Sequence, residues 1–191
     1  AQSPVSPNTT ATIIKDIVEP LTIGKDIYDV ESIWHNNYSS KRERGHYTGF
    51  YIDAICGVDI AIWDAIGKSL NMPTCKAMGG AHRKSVALYN GIGGTEPEEV
   101  ADQAEWSVSK GYKFVKMHLK ENLEKDIEIA RKVRERVGDS IGIMIDVHMG
   151  FDTFNVIKLG KELEKLNLLW IESPSDPTDI PGLCEISRSL D

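Results

Sequence analysis

Apolar side chains recur at helical spacing through the first eighty residues. Ile13, Ile17 and Val18 are followed by an interrupting Pro20, and Ile27, Val30, Ile33 and Trp34 form a second stripe with Asp26 placed to cap it. The most apolar stretch, 51–70, repeats Ile55, Val58, Ile62 and Ile66 every three to four residues. Ala54, Ala61 and Ala65 allow close packing, and Asn71, Met72 and Pro73 end it. The first dozen residues, rich in Pro, Ser and Thr, read as irregular. Gly79-Gly80 closes the region, so a domain boundary is expected at residue 80, dividing 1–80 from 81–191.

Beyond the boundary the pattern changes to short strands alternating with helices. Strands are predicted at 86–89, 112–119, 141–147 and 168–172, with 91–94 read as a plain strand-to-helix turn. Thr95-x-x-Glu98 with Pro97 has the form of a capping box opening a helix that runs to Lys110. The charged run 120–125 starts the next helix, whose inner stripe is Leu123, Ile127, Ala130, Val133 and Val137, and Gly138 stops it. Helices at 154–166 and 180–190 complete the series. Such a βαβαβαβα run specifies parallel strands joined by crossover helices.

Strand residues two apart share a face. Val115, Met117 and Leu119 and, in the third strand, Ile141, Ile143, Ile145 and Val147 form an apolar face for the helices, as do Leu169 and Ile171 in the fourth. The opposite face ends in Lys116 and His118, in Asp146 and His148, and in Trp170 and Glu172. Parallel α/β proteins place their chemistry at the carboxyl ends of their strands. Ionisable groups buried there without partners would cost several kcal/mol, so these five are expected to serve one another or a ligand. Asp146 and Glu172 on adjacent strands repel unless a cation separates them, and oxygen-only ligands favour a hard ion such as Mg²⁺. Lys116 offers positive charge to a substrate carboxylate, and His118 and His148 titrate near neutrality. These are the parts needed to remove a proton next to a carboxylate. Each has a structural alternative: Asp146 and Glu172 as carboxylates paired to lysines, Lys116 as a salt-bridge partner of Glu172, His118 as a packed, hydrogen-bonded histidine.

Composition narrows the setting. Lys and Arg number 22 against 29 Asp and Glu, a net charge of −7 without a basic cluster, which argues against nucleic acid. Apolar runs fall short of the roughly 18 residues of a membrane span, and the first residues lack a signal pattern. Cys56, Cys75 and Cys184 are odd in number and widely spaced with no CxxC, which argues against a disulfide framework and against zinc, and for a reducing cytoplasm.

At this point four motifs in order carry a resemblance. The segment 55–80 is similar to the helix and linker preceding the barrel in the mandelate racemase/muconate lactonising branch of the enolase superfamily. Lys116-Met117-His118 stands where that family has Lys-x-Lys, Ile145-Asp146-Val147-His148 where it has its first metal ligand, and Trp170-Ile171-Glu172-Ser173-Pro174 where it has its second. The resemblance implies the helical part of an α+β capping domain over 1–80, followed by a modified (β/α)₈ barrel binding Mg²⁺ through Asp146 and Glu172. It places a third carboxylate ligand beyond Asp191, and it implies a homo-oligomer, dimer or octamer. A Lys or His base with Mg²⁺ is the general scheme of the superfamily. His118 in place of the second Lys argues against a racemase or cycloisomerase. His148 resembles the histidine by which acid-sugar dehydratases of the mannonate/galactonate type protonate a departing hydroxyl, while Ser173 in place of a second Glu changes only the ligand's surroundings.

The expected activity is therefore Mg²⁺-dependent dehydration of a sugar acid, with Lys116, His118 and His148 catalytic. A racemase, epimerase or cycloisomerase on the same scaffold is one alternative, and a non-catalytic truncated chain another. Residues 81–191 hold four strands, whereas a closed (β/α)₈ barrel takes about 250 residues. By the resemblance these are strands 1–4 of a truncated barrel, and the chain alone is expected to be catalytically silent.

Overall fold

A computed structural model describes residues 6–119 and 122–191, and the chain divides into two compact units at Lys84/Ser85. In the first unit, helix α1 (Pro7–Ile13) runs through a π-helical turn, Ile14–Val18, into α2 (Glu19–Thr22). The irregular start expected for the first dozen residues is thus corrected from Pro7 onward; residues 1–5 lie outside the described residues. Pro7 occupies the first turn, where its fixed φ favours a helix and its missing N–H costs nothing, and Thr10 N–H donates to Ser6 O at 3.1 Å.

Asp26 caps as predicted: its carboxylate accepts from Tyr28 N–H at 2.9 Å, opening the 3₁₀ turn Ile27–Asp29 that leads into α3 (Val30–Arg42). Helix α4 (Phe50–Ser69) presents two successive apolar surfaces. Tyr51, Ala54 and Ile55 pack on Val18, and Ile62 and Ile66 pack on Val30 and Ile33. Buried Asn37 ties these helices together, donating to Ile33 O (3.0 Å) and Thr22 Oγ1 (3.1 Å), while Tyr51 Oη donates to Asn37 O at 2.7 Å. A short helix, α5 (Thr74–Ala77), follows.

The second unit is a parallel four-stranded sheet in the order β1-β2-β3-β4, made of β1 (Tyr89–Gly93), β2 (Phe114–His118), β3 (Gly142–Asp146) and β4 (Ile171–Glu172). Crossovers are α6 (Pro97–Ser109), α7 (Leu123–Val137) and α8 (Thr153–Glu164), and α9 (Ile180–Ser189) follows the last strand. Val115, Met117, Ile143 and Ile145 are fully buried against Val100, Ala104, Ala130, Val133, Leu159 and Leu163. Each fully buried large aliphatic side chain contributes about 1.5–3 kcal/mol. The helix-facing surface therefore carries the stability, and the opposite face is left for polar groups.

Three local expectations change and one is made more definite. The first strand begins at Tyr89, not 86, and continues through the glycines read as a turn; Val86 and Leu88 are exposed coil. The capping box does not form, because the Glu98 carboxylate is engaged by Lys132 (2.8 Å) and Arg136 (2.7 Å) on α7, and α6 starts at Pro97. The helix at 120–125 begins at Leu123, where the Asn122 side chain accepts from Glu124 N–H; residues 120 and 121 lie outside the described residues. The alternation expected at 168–172 holds only for β4 itself. Leu168 packs into the core and Leu169 sits beside Phe114 and Gly142, since the chain bends there after the left-handed Asn167.

Arg134 locks the amino-terminal edge of this sheet. It is buried, and its guanidinium donates to four carbonyls: Gly138 (2.7 Å), Ile141 (2.8 Å), Leu166 (2.9 Å) and Asn167 (3.2 Å). Arg134→Leu strands those acceptors and is expected to lower unfolding free energy by about 3 kcal/mol, the scale of lost hydrogen bonds to a charged donor. Arg134→Lys recovers less than half of this, because an ammonium cannot fork to four acceptors. Urea unfolding followed by circular dichroism checks both.

Candidate active site

Strand register gathers the candidate residues. His118 is paired with Asp146, and Asp146 with Glu172, at the carboxyl ends of three neighbouring strands. Lys116, two residues before His118, shares its face and reaches along it. Its Nζ donates to Asp146 Oδ2 at 3.3 Å and to Glu172 Oε2 at 3.0 Å, and lies 5.3 Å from the centre of the Tyr89 ring. Lys116 and Asp146 are only 6% and 3% exposed, so this pair is largely removed from water, whereas the Glu172 side chain is half-buried.

Burial alone would raise the Asp146 carboxyl pKa. It is outweighed by the hydrogen bonds from His148 N–H (3.0 Å) and Lys116 and by the charges of His148 and Lys116, which hold the carboxyl below the ordinary range. Burial likewise disfavours the Lys116 ammonium, yet its bonds to Glu172 and Asp146 hold its pKa above the usual value. His118 is shifted the other way: burial first, then the Lys116 charge, lower it against the opposing pull of Asp146, so the neutral imidazole is favoured.

The two histidines meet. His118 Nδ1 lies 3.1 Å from His148 Nε2, and His148 Nδ1 lies 3.2 Å from Asp146 Oδ1. A hydrogen bond at this distance needs one ring nitrogen to donate and the other to accept. Strand alternation does not deliver His148 here, because β3 ends at Asp146. His148 (φ 47°) and Met149 (φ 59°) turn left-handed, as does Ser173 (φ 51°) after β4, and Met149 N–H donates to Ser173 O at 2.9 Å. Left-handed non-glycine residues cost about 1–3 kcal/mol each and persist where surrounding structure holds them. Their clustering at these strand ends aims the His148 ring back over Asp146.

Tyr89, Gly91 and Gly93 belong to the site and were not singled out from the sequence. A Cβ on Gly91 would stand 3.3 Å from His118 Nε2, and one on Gly93 would stand 3.2 Å from His118 O. Gly91 is the floor under the His118 ring and Gly93 lies against the His118 backbone, close approaches of the kind that place glycine inside a strand. Gln103 fixes that floor from α6, accepting from Gly93 N–H (3.2 Å) and donating to Gly93 O (2.9 Å). The signal available was the parity of Tyr89, Gly91 and Gly93 with Phe114, Lys116 and His118.

Asp146 and Glu172 aim carboxylate oxygens at one point, the position of the Lys116 ammonium. An all-oxygen donor pair converging on positive charge fits a hard divalent cation. Gly91→Ala is expected to tilt His118 and break its contact with His148. The imidazole ¹⁵N–¹H cross-peaks of both histidines should move while far-ultraviolet circular dichroism stays unchanged; unmoved cross-peaks would contradict the packing described.

Comparison with known proteins completes the description. Residues 1–79 match the mandelate racemase/muconate lactonizing enzyme N-terminal domain, and residues 99–191 match the enolase C-terminal domain-like family. L-talarate/galactarate dehydratase of Salmonella typhimurium is 33% identical over 93% of this chain and 45% of its own length. N-succinyl-L-Arg/Lys racemase of Bacillus cereus is 30% identical over 96% of this chain and 48% of its own. The crystal structure of D-glucarate dehydratase from Agrobacterium tumefaciens, complexed with magnesium, superposes with a TM-score of 0.85 at 32% identity, covering 94% of this chain and 50% of that one. The chain thus spans about half the length of the curated relatives it matches, and its parallel sheet corresponds to part of a (β/α)₈ barrel.

Proposed function

The chain belongs to the enolase superfamily, and from that premise we propose that its strand-end cluster serves the dehydration of a sugar acid. The relatives include dehydratases and a racemase, so membership alone does not choose between these reactions. The observation that carries the choice is the direct contact of His118 with His148, 3.1 Å apart. Inverting a stereocentre requires proton-transfer groups on opposite faces of the substrate. Here the two imidazoles lie side by side, an arrangement suited to moving a proton on one face.

In this reading 1–80 is the helical part of a capping domain and 81–191 carries barrel strands 1–4. Asp146 and Glu172 would hold Mg²⁺, which when bound supplies positive charge to the oxygens of a carboxylate losing its α-proton. Lys116, kept charged by its two carboxylate neighbours, binds the substrate carboxylate. His148, oriented by Asp146, delivers the proton to the departing hydroxyl. His118, biased toward neutrality, assists as the partner that exchanges that proton with His148. The substrate is a small hydroxylated carboxylate.

Two substitutions test this in a chain that carries the complete barrel, assayed against a panel of sugar acids. Asp146→Asn should reduce Mg²⁺-dependent turnover by about a hundredfold to a thousandfold, as expected for removal of a group stabilising transition-state charge. Unchanged turnover would sink the metal assignment. His148→Asn should preserve exchange of the α-hydrogen with deuterated solvent while stopping loss of water. If elimination persists in that variant, the dehydration reading fails.

A further inference from the structure

Asp146 belongs to two donor sets. One is the oxygen pair with Glu172. The other is formed with the two histidines: His118, Asp146 and His148 each present one ligand atom, and all three lie within 4.8 Å of one another. We propose that this second set is a separate site for a borderline transition ion such as Zn²⁺ or Co²⁺.

Donor chemistry distinguishes the two. Mg²⁺ takes oxygen, whereas imidazole nitrogen with a carboxylate suits Zn²⁺, Co²⁺ and their neighbours. Size agrees. Tetrahedral bonds of about 2.0–2.1 Å require ligand atoms about 3.3 Å apart. His118 Nδ1 lies 3.1 Å from His148 Nε2 and 3.7 Å from Asp146 Oδ2, which brackets that value.

The carboxylate is pre-oriented for the task. His148 N–H fixes Oδ1 at 3.0 Å and Lys116 fixes Oδ2 at 3.3 Å, and such outer bonds strengthen metal ligation. Backbone geometry does the same for the rings, since Gly91 supports one and the left-handed turn at His148 aims the other. The His118 and His148 side chains are 39% and 45% exposed, so an ion can enter and keep a water as its fourth ligand. Because Asp146 is common to both sets, the two ions draw on one carboxylate. A bound transition ion also occupies both imidazole nitrogens that would otherwise bond to each other. None of this depends on the dehydration reading, since the donors are present whatever reaction the site serves.

The test is a Co²⁺ titration of the whole chain followed by visible absorption, with Zn²⁺ and Mg²⁺ as competitors. Binding should weaken by about tenfold or more in His118→Gln and in His148→Gln, the scale seen when even supporting groups of a metal site are removed. It should stay within about twofold in Glu172→Gln. Hyperfine-shifted proton signals of the Co²⁺-loaded wild-type chain should show two coordinated imidazoles, a readout that survives if a variant fails to fold. Absence of Co²⁺ binding, one or no coordinated imidazole, or a loss in Glu172→Gln equal to that in the histidine variants would overturn the proposal. The last result would place the ion at the oxygen pair and leave the dehydration reading standing. Elimination persisting in His148→Asn would remove that reading and leave this one.

Discussion

The Lys116 ammonium, buried between the Asp146 and Glu172 carboxylates, is the interaction on which the rest of the site depends. Strand pairing sets those two acids at adjacent positions on one face, where they would repel each other. The ammonium resolves that conflict by accepting a position where burial opposes its own charge. Removing one member of such a cluster leaves an uncompensated buried charge, typically a loss of several kcal/mol. The cluster is therefore held as a unit, with Lys116 and Asp146 both favoured in the charged state useful for gripping a carboxylate or a cation.

This arrangement is possible because the sheet divides its labour by face. Apolar burial is concentrated on the side covered by α6, α7 and α8, which frees the other side from carrying the core. Arg134 fixes the amino-terminal ends of the strands and the left-handed residues fix the carboxyl-terminal turns. The charged groups thus sit on a platform restrained at both ends, and the imidazoles, at the exposed rim, keep access to solvent and ligands.

Where alternation and helical stripes were strong, the sequence was a good guide. β2 and β3 carry uninterrupted apolar residues on one face, so the inward positions of Lys116, His118 and Asp146 followed directly, and Asp26 and Gly138 marked helix ends by well-understood backbone chemistry. Three features escaped. β1 carries two glycines where His118 lies close against it, and glycine in isolation reads as a turn. The chain at 168–170 departs from alternation because Asn167 is left-handed. His148 reaches Asp146 through a left-handed turn rather than along a strand. Each was set by tertiary contacts or by a backbone conformation that residue type alone does not announce. The pairing of His118 with His148 was hidden for the same reason, since both were assigned to the site but not to each other.

The central proposal is that Asp146 and Glu172 form a cation-binding pair whose charge Lys116 partly offsets. A crystal structure determined in Mg²⁺ tests it most directly. The account predicts an ion bonded to oxygens of both Asp146 and Glu172, with the Lys116 ammonium moved from the point between them. Both carboxylates still bonded to Lys116 at saturating Mg²⁺, with no ion between them, would contradict it.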